Sequence, residues 1–283
     1  MNVIGIGSPG CALALEFKIY DEYEVFFVDH ENKQGYDNFF KIPRRATHEE
    51  YEKKYRKINL KAKKQPTILI LSGAGKISGI ILRLLQQLKD NDLEVLYVKP
   101  DESLMTIKEK NRHKVVFGVL QQYARSGLIK KIYVVDNSMV EEVINNINIQ
   151  TYWQDVNKAI SSTFHMLNVF KNTEPLLTTF GEISTTSNIC TFGVVSFSKL
   201  DEKIFYKLER PRCKKYFFGV TEETLNTEKN LLQKIRKFSK SKSAEEEKCD
   251  SSFAIYSTGY EQDYVYALQY ATLVQEENTS LQK

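Results

Sequence analysis

The chain has few cysteines, and their spacing excludes the common sites built from them. Among its 283 residues there are four, Cys11, Cys190, Cys213 and Cys249. They lie far apart, with no Cys-x-x-Cys pair and no histidine at ligand spacing. A disulfide framework needs a dense cysteine pattern, and a structural zinc site needs closely spaced ligand pairs. We therefore expect four free thiols and no metal site.

Long apolar runs and a strong excess of charge are also missing. No run approaches the roughly 18 apolar residues of a membrane-spanning helix, and the short apolar run after Met1 lacks the basic flank of a secretory signal. With 40 basic and 36 acidic residues the charge is nearly balanced, so a nucleic-acid partner is not indicated. These features predict a cytoplasmic protein without a membrane partner. The stretch at 41–64 interleaves Glu with Lys and predicts a solvated helix.

Apolar runs alternate with helical patterns through the first half of the chain. The runs VIGI, EVFFVDH, TILILSG, LEVLYVKP and KKIYVVDN have the composition of buried strands. This alternation predicts an α/β fold with a doubly wound, mostly parallel sheet. Residues 151–172 predict a long central helix, and the strand-like runs after Pro175 predict a smaller α+β unit. The predicted domains are 1–150, then 151–185 with the helix and the following loop, then 186–283.

Two further segments of the smaller unit have recognisable patterns. Residues 224–238 are charged with helical spacing, which predicts a helix. Residues 239–248 are rich in Lys, Ser and Glu, which predicts a solvated loop.

A glycine-rich turn joins the first predicted strand to the first predicted helix. It reads GIGSPGCA, with Gly5, Gly7 and Gly10 at the spacing Gly-x-Gly-x-x-Gly. Backbone N–H groups at such a turn, together with the helix N-terminus, can receive phosphate oxygens. Asp29, at the end of the second strand, stands where an acidic residue would meet the ribose of NAD. A tight turn that needs glycine only for its geometry is the alternative.

A second glycine cluster, LSGAGKISG, follows another apolar strand. It contains Gly73, Gly75 and Gly79, and it does not satisfy the P-loop pattern. A dinucleotide site has no standard need for a second turn of this kind, whereas a site that wraps a triphosphate from two sides does. Lys76 would supply a point charge to those phosphates. A solvated loop lysine is the alternative.

Together the two glycine turns, the long central helix and the late α+β unit resemble the tubulin/FtsZ superfamily of GTP-dependent filament proteins. The resemblance is distant and covers nearly the whole chain in order. It implies that the two turns cradle the phosphates of GTP or GDP, and it admits Mg²⁺ beside them. The residues that it places at the nucleotide are Gly5, Gly7, Gly10, Cys11, Gly73, Ala74, Gly75 and Lys76 at the phosphates, Asn137 near the ribose, and Trp153 and Asn157 at the guanine.

The resemblance also implies an assembly and a catalytic residue. The family's catalytic loop is similar to LTTFGE, in which Leu177 and Thr179 replace the usual Asn and first Asp, leaving Glu182 as the one carboxylate. In the family this loop completes the nucleotide site of the next subunit, so the chain is expected to form a head-to-tail homopolymer. Ala12 stands where the family carries a guanine-contacting asparagine. These departures imply slow GTP hydrolysis or none.

Two other functions compete with a filament GTPase. An NAD(P)-dependent oxidoreductase would rest on the first glycine turn and Asp29, but no set of proton donors stands at a typical place for it. A tubulin-like scaffold without catalysis would keep the fold and lose the chemistry. Binding of NADH would separate the first alternative from the other readings, and sedimentation with and without GTP would separate the second from the filament GTPase.

Overall fold

The structure, a computed structural model, describes residues 1–55, 57–58, 65–144 and 148–275. The strands are β1 (Asn2–Ile6), β2 (Glu24–Asp29), β3 (Phe39–Lys41), β4 (Thr67–Leu71), β5 (Leu93–Lys99), β6 (Lys131–Asp136), β7 (Leu177–Thr178), β8 (Ile189–Val195), β9 (Glu202–Ile204), β10 (Cys213–Thr221), β11 (Asp250–Thr258) and β12 (Tyr264–Ala271). The helices are α1 (Gly7–Leu15), α2 (His48–Lys53), α3 (Ile81–Gln87), α4 (Ile107–Arg125), α5 (Asn137–Glu141), α6 (Tyr152–Lys171), α7 (Glu222–Thr227) and α8 (Leu231–Ala244).

These described strands form one mixed sheet, in the order β3-β2-β1-β4-β5-β6-β8-β12-β10-β11-β7, with β9 paired to β8. The part from β3 to β8 is parallel throughout. Alternate residues of its strands pack on opposite faces, one against α1 and α6 and the other against α3 and α4. The prediction of a doubly wound, mostly parallel α/β sheet is confirmed.

The smaller unit continues the same sheet beyond β6. Strand β8 joins it through two residue pairs, Ile132 with Ile189 and Tyr133 with Cys190. Helix α6 packs against both parts, because Phe164 contacts Tyr133 and Phe192, while Phe170 near its end contacts rings of the β10–β12 region. On the other face α8 covers β10 and β11 through Ile235 and Phe238. The domain boundaries given above stay a prediction, and positions 145–147 and 276–283 within them lie outside the described residues.

Several elements differ from the sequence-based expectations. The helix predicted at 224–238 is two helices, α7 and α8, and α8 continues to Ala244 through most of the predicted loop at 239–248. Lys242 explains the extension, because its ammonium pairs with Glu202 and Glu245 and thereby ties the end of α8 to the sheet.

Further differences lie in the first half of the chain and at its end. Strand β12 was not predicted. In the basic stretch at 41–64 only α2 is helical among the described residues, and its Tyr51 is buried rather than solvated. Residues 56 and 59–64 of that stretch lie outside the described residues.

Within the described part of the chain, no helix is both long and apolar enough to cross a membrane.

All four cysteines are free thiols, as predicted, and three of them are buried. Burial raises the pKa of Cys11 and of Cys190 to about 12. Both side chains are therefore protonated, unreactive parts of the core at neutral pH.

Replacement of Gly10 by alanine should destabilise the junction of α1 with the sheet. A Cβ atom at Gly10 would lie 2.3 Å from the carbonyl oxygen of Ile70, which is backbone of β4 and cannot move aside. We expect a loss of about 2 kcal/mol in the free energy of unfolding, measured by urea titration. Gly118→Ala on α4 is the matched control, because its Cβ would meet no atom within 4 Å; it should unfold at the same or higher urea. Equal stability of the two variants would contradict this packing.

Candidate functional site

The two glycine-rich turns meet at one pocket of about 460 Å³. We call the edge of the sheet where the parallel strands end the carboxyl edge, and the opposite edge the amino edge. Because β1 and β4 are parallel neighbours, the turns that follow them leave the sheet side by side at the carboxyl edge. Gly7, Ala74, Gly75 and Lys76 all line the pocket. The structure thus brings together four of the residues predicted to hold phosphates.

The first turn supplies the pocket through Gly7 and Ser8. Gly7 has a φ of +67°, a left-handed conformation that favours glycine. Ser8 Oγ donates to Asp29 Oδ2 at 3.0 Å, which fixes the start of α1 against the end of β2.

Three residues predicted at the first turn lie behind the pocket rather than in it. A Cβ atom at Gly5 would come within 2.5 Å of the Gly10 carbonyl oxygen, so these two glycines let α1 pack closely on β1 and β4. Cys11 is buried, and its Sγ contacts the carbonyl oxygen of Gly5 at 3.3 Å. Their predicted role at a nucleotide stays a prediction, and in this structure it would act through the shape of the turn.

Side-chain hydrogen bonds hold the second turn in place. Ser78 Oγ lies 2.7 Å from the Gly75 carbonyl oxygen and 3.1 Å from that of Gly73, and Arg112 Nε donates to the Ala74 carbonyl oxygen at 2.8 Å. The single hydroxyl hydrogen of Ser78 is shared between the first and third of these successive carbonyl groups, and Arg112 donates to the second. This arrangement fixes the peptide orientations of the turn before any ligand binds.

The two glycines at the ends of this turn have different surroundings. A Cβ atom at Gly73 would lie 2.3 Å from Tyr97 Oη, whereas one at Gly75 would meet only Ile77 Cγ2, at 3.8 Å. Gly73 thus packs against the core, while Gly75 borders open space in the pocket wall. The open wall beside Gly75 fits the close approach of a phosphate group.

The charges that line the pocket are mostly positive. Lys76 is joined by Arg44 and Arg45, two cations that the sequence analysis did not single out, against the carboxylate of Asp29. Asp29 is already engaged, because Oδ2 accepts from Ser8 and Oδ1 accepts from the His30 backbone N–H at 2.8 Å. The lining suits an anion. It does not offer Mg²⁺ a ready carboxylate ligand, so a Mg²⁺ ion in this pocket would be held by phosphate oxygens and water.

Three more predicted residues lie at the same carboxyl edge. Asn137 directly follows β6, and its Oδ1 is buried without a hydrogen-bond partner among the described residues. Helix α6 begins beside α5, where Tyr152 Oη donates to Glu141 Oε2 at 3.1 Å. In its first two turns Trp153 is 64% exposed and Asn157 is half-buried. None of the three lines the pocket itself; an orphaned amide oxygen and an exposed indole at this edge fit a ribose and a base extending from it.

Glu182 lies at the opposite edge. Strand β7 pairs with β11, Thr178 opposite Ala254, and the chain then runs toward the beginning of β11. There Glu182 is exposed and borders a pocket that also contains Arg212 and Asp250. Strand pairing through β12 and β8 puts the beginnings of β10 and β11 at the amino edge. Glu182 and the glycine turns therefore cannot meet within one chain.

A cavity of about 600 Å³ also lies at the amino edge, away from the glycine turns. It is lined by residues at the beginnings of β2, β4 and β5 and by the end of α6. The Lys171 ammonium reaches into it and donates to Tyr133 Oη at 3.1 Å. Desolvation lowers the pKa of Lys171 to about 8.

His113 should make the protein sensitive to acid. It is buried beneath Gly73 and shares a 2.5 Å hydrogen bond between its Nδ1 and Tyr97 Oη. Burial lowers the pKa of His113 from 6.5 to about 4. The unfolded chain therefore binds this proton more readily, so the contribution to stability is full above pH 6.5 and is lost as the pH falls toward 4. At pH 5 we expect a loss of about 2 kcal/mol from this group.

Urea unfolding at pH 7.5 and pH 5 measures this loss. His113→Gln removes the titrating ring, so its free energy of unfolding should fall by about 2 kcal/mol less than that of the parent between the two pH values. The same fall in both proteins would contradict the assignment.

Comparison with solved structures finds a similar architecture in TubZ, CetZ2 and FtsZ. A protofilament of TubZ from Bacillus thuringiensis serovar israelensis in the GTPγS form aligns at a TM-score of 0.68 and 15% identity, over 97% of this chain and 86% of that one. CetZ2 from Haloferax volcanii aligns at 0.66 and 12%, over 95% and 92%, and FtsZ from M. jannaschii at 0.63 and 10%, over 95% and 87%. No protein-family model and no curated protein sequence matches the chain. At these identities the likeness establishes the architecture alone, and the chain has a divergent tubulin/FtsZ-like fold that resembles TubZ.

Proposed function

We propose that this protein binds GTP at the pocket between its two glycine turns and assembles head-to-tail into filaments. The observation that carries the proposal is the placement of the candidate site on two edges, with Gly7, Gly75 and Lys76 at the carboxyl edge and Glu182 at the amino edge. A site divided in this way is complete only where the amino edge of one copy meets the carboxyl edge of another. Such a contact is heterologous, and repetition of it builds a filament when the rotation does not close.

The structural relatives support this proposal. They are described as a GTPγS-form protofilament of TubZ, GDP-form protofilaments of TubZ, and a GTPγS-bound protofilament of CetZ2. A four-stranded TubZ filament also shares the fold, at a TM-score of 0.69. These descriptions belong to those proteins, and the proposal transfers guanine nucleotide binding and self-association to this chain.

In the proposed mechanism the chain contributes positioning and charge. Backbone N–H groups at Gly7, Gly75 and Lys76 face the phosphate oxygens, and the Lys76 ammonium adds a positive charge. Glu182 of a second copy then holds and orients the attacking water beside the terminal phosphate. Phosphoryl transfer depends mainly on such positioning and charge stabilisation. Because Glu182 is a single carboxylate on an exposed loop, we expect slow hydrolysis of GTP.

The structure favours this proposal over an oxidoreductase. Asp29, the residue on which an NAD ribose would rest, is buried, and its two carboxylate oxygens accept hydrogen bonds from Ser8 and the His30 backbone. A scaffold without catalysis would keep assembly and lose hydrolysis, so it differs from the proposal only in the role of Glu182.

Fluorescence of Trp153 tests nucleotide binding directly, because this is the single tryptophan of the chain and it stands exposed at the carboxyl edge. Titration with GTP should change its emission. Titration with NADH should leave the indole emission unchanged, and the nicotinamide emission should equal that of free NADH at the same concentration. A response to NADH and none to GTP would favour the oxidoreductase. The full chain at low concentration, where assembly is minimal, is the correct sample.

A further inference from the structure

We infer that Arg44 and Arg45 bind the terminal phosphates of the nucleotide, so that this site recognises a nucleoside triphosphate largely through protein cations. The inference deepens the proposed function and depends on it. Neither arginine belongs to a glycine turn. Both belong to the segment 42–51, which leaves β3 at the carboxyl edge and ends within α2, and which we call the strap.

The strap brings its arginines to the same pocket as the glycine turns. Arg44 and Arg45 line the 460 Å³ pocket together with Gly7, Gly75 and Lys76. Since Lys76 stands on the second turn and the arginines on the strap, cationic residues line the pocket from two separate segments of the chain. A triphosphate between them would have cations on both flanks, which suits its three to four negative charges better than a single lysine would.

Hydrogen bonds fix the strap on both sides of the two arginines. On one side the Ile42 backbone N–H donates to the Asp29 carbonyl oxygen at 2.8 Å, and His30 Nδ1 donates to the Ile42 carbonyl oxygen at 2.9 Å. On the other side Tyr51 Oη lies 3.0 Å from His30 Nε2 and accepts from the Arg45 backbone N–H at 3.0 Å.

The position of α2, where the strap ends, is set by close packing on the second turn. A Cβ atom at Gly79 would lie 2.2 Å from the His48 carbonyl oxygen. Glycine at this position therefore lets the strap lie directly against the phosphate turn. The two arginines stand on a backbone that is preorganised at the pocket, which lowers the entropy cost of binding a phosphate.

Arg44 also forms an ion pair whose acidic partner a phosphate can replace. Its Nη2 donates to Glu31 Oε1 at 2.6 Å, and both side chains are about 70% exposed. An exposed ion pair of this kind contributes little to stability. A phosphate offers the guanidinium two oxygens and more charge in place of the single Glu31 oxygen, so exchange of Glu31 for phosphate is favourable.

Binding measured by equilibrium dialysis tests the inference. The full-length parent and the double variant Arg44→Ala/Arg45→Ala are titrated with GTP, GDP and inorganic tripolyphosphate. Loss of two charge-assisted hydrogen bonds should weaken GTP binding by about tenfold to a hundredfold. GDP binding should weaken less, so the preference for GTP over GDP should fall. Tripolyphosphate binding by the parent that is as tight as GTP binding would assign the site to free polyphosphate rather than to a nucleotide.

Matched variants separate recognition from folding. Arg44→Lys/Arg45→Lys keeps the charge and loses the guanidinium fork, so its affinity for GTP should lie between those of the parent and the double alanine variant. Arg236→Ala removes an exposed arginine of α8, far from the pocket, and should bind as the parent does.

The outcomes distinguish this inference from the proposed function. If the parent binds GTP and the double alanine variant binds it equally well, the inference is wrong and the proposed function stands. If the parent binds no guanine nucleotide, both are wrong. A thermal unfolding curve of the double variant that matches the parent excludes loss of structure as the cause of weak binding.

Discussion

Gly75→Val is expected to abolish nucleotide binding while the protein stays folded. The backbone at Gly75 has a φ of −72°, which valine adopts without strain. A Cβ atom there would meet no protein atom closer than 3.8 Å, so the branching carbon of the new side chain fits the native packing. Its two methyl groups would project into the space where a phosphate approaches the turn. We expect GTP affinity to fall by at least about a hundredfold, as measured by equilibrium dialysis.

A second glycine gives the matched control for this variant. Gly118→Val also places its side chain in open space, but on α4 and outside the pocket. It should bind GTP as the parent does. Unchanged affinity in Gly75→Val, with both variants folded by circular dichroism, would refute the placement of the phosphates at the second turn.

Glu182→Ala is expected to leave GTP binding intact and to suppress phosphate release by about a hundredfold or more. The reason is that Glu182 lies at the amino edge, opposite the pocket in its own chain, and could meet a nucleotide only across a subunit contact. Filaments of the variant should last longer after GTP is added, because the bound nucleotide should stay in its triphosphate form. Phosphate release and light scattering, followed in parallel, measure the two effects.

Glu174→Ala is the control, since Glu174 is another exposed carboxylate, in the connection between α6 and β7 that precedes the loop of Glu182. It should behave as the parent in both assays. A Glu182→Ala protein that hydrolyses GTP at the parent rate would remove Glu182 from the mechanism.

The two variants together test whether one site is built from two chains. In a mixture, a Glu182→Ala subunit holds GTP, and a Gly75→Val subunit beside it supplies the glutamate. The mixture should therefore release phosphate faster than either variant alone. If the mixture releases phosphate no faster than either variant alone, this result would contradict a site built from two chains.

Much of the fold could be predicted from the sequence because its parallel strands are buried on both faces. Runs such as TILIL and EVFFVD carry apolar residues on both faces of the strand, so composition alone indicates these strands. Strand β12 was missed because its alternation of aromatic and polar residues follows no turn signal that the sequence analysis used. The end of α8 was missed because Lys242 is held by tertiary contacts to Glu202 and Glu245. The local amino-acid composition does not indicate such contacts.

The site was predictable only in part. The glycine turns have a local signature, and Gly7 and Gly75 do line one pocket. The same signature includes Gly5 and Gly10, which serve close packing of α1, and sequence spacing cannot separate these two uses of glycine.

That the strap lines the pocket could not be predicted from the sequence, for a different reason. Its arginines reach the pocket because Tyr51 contacts His30 across 21 positions of the chain. In the sequence they stand inside a basic stretch that is typical of a solvated surface. Only the pairing of β2 and β3 and the burial of Tyr51 place that stretch over the glycine turns.

Sedimentation with nucleotide, combined with phosphate release in the same tubes, tests the central claim most directly. Purified protein is incubated with GTP and Mg²⁺, with GDP and Mg²⁺, or without nucleotide, and is then pelleted. We expect pelleting that depends on GTP, with slow release of phosphate from the assembled protein. Protein that stays in the supernatant under all three conditions and releases no phosphate would contradict a GTP-dependent filament.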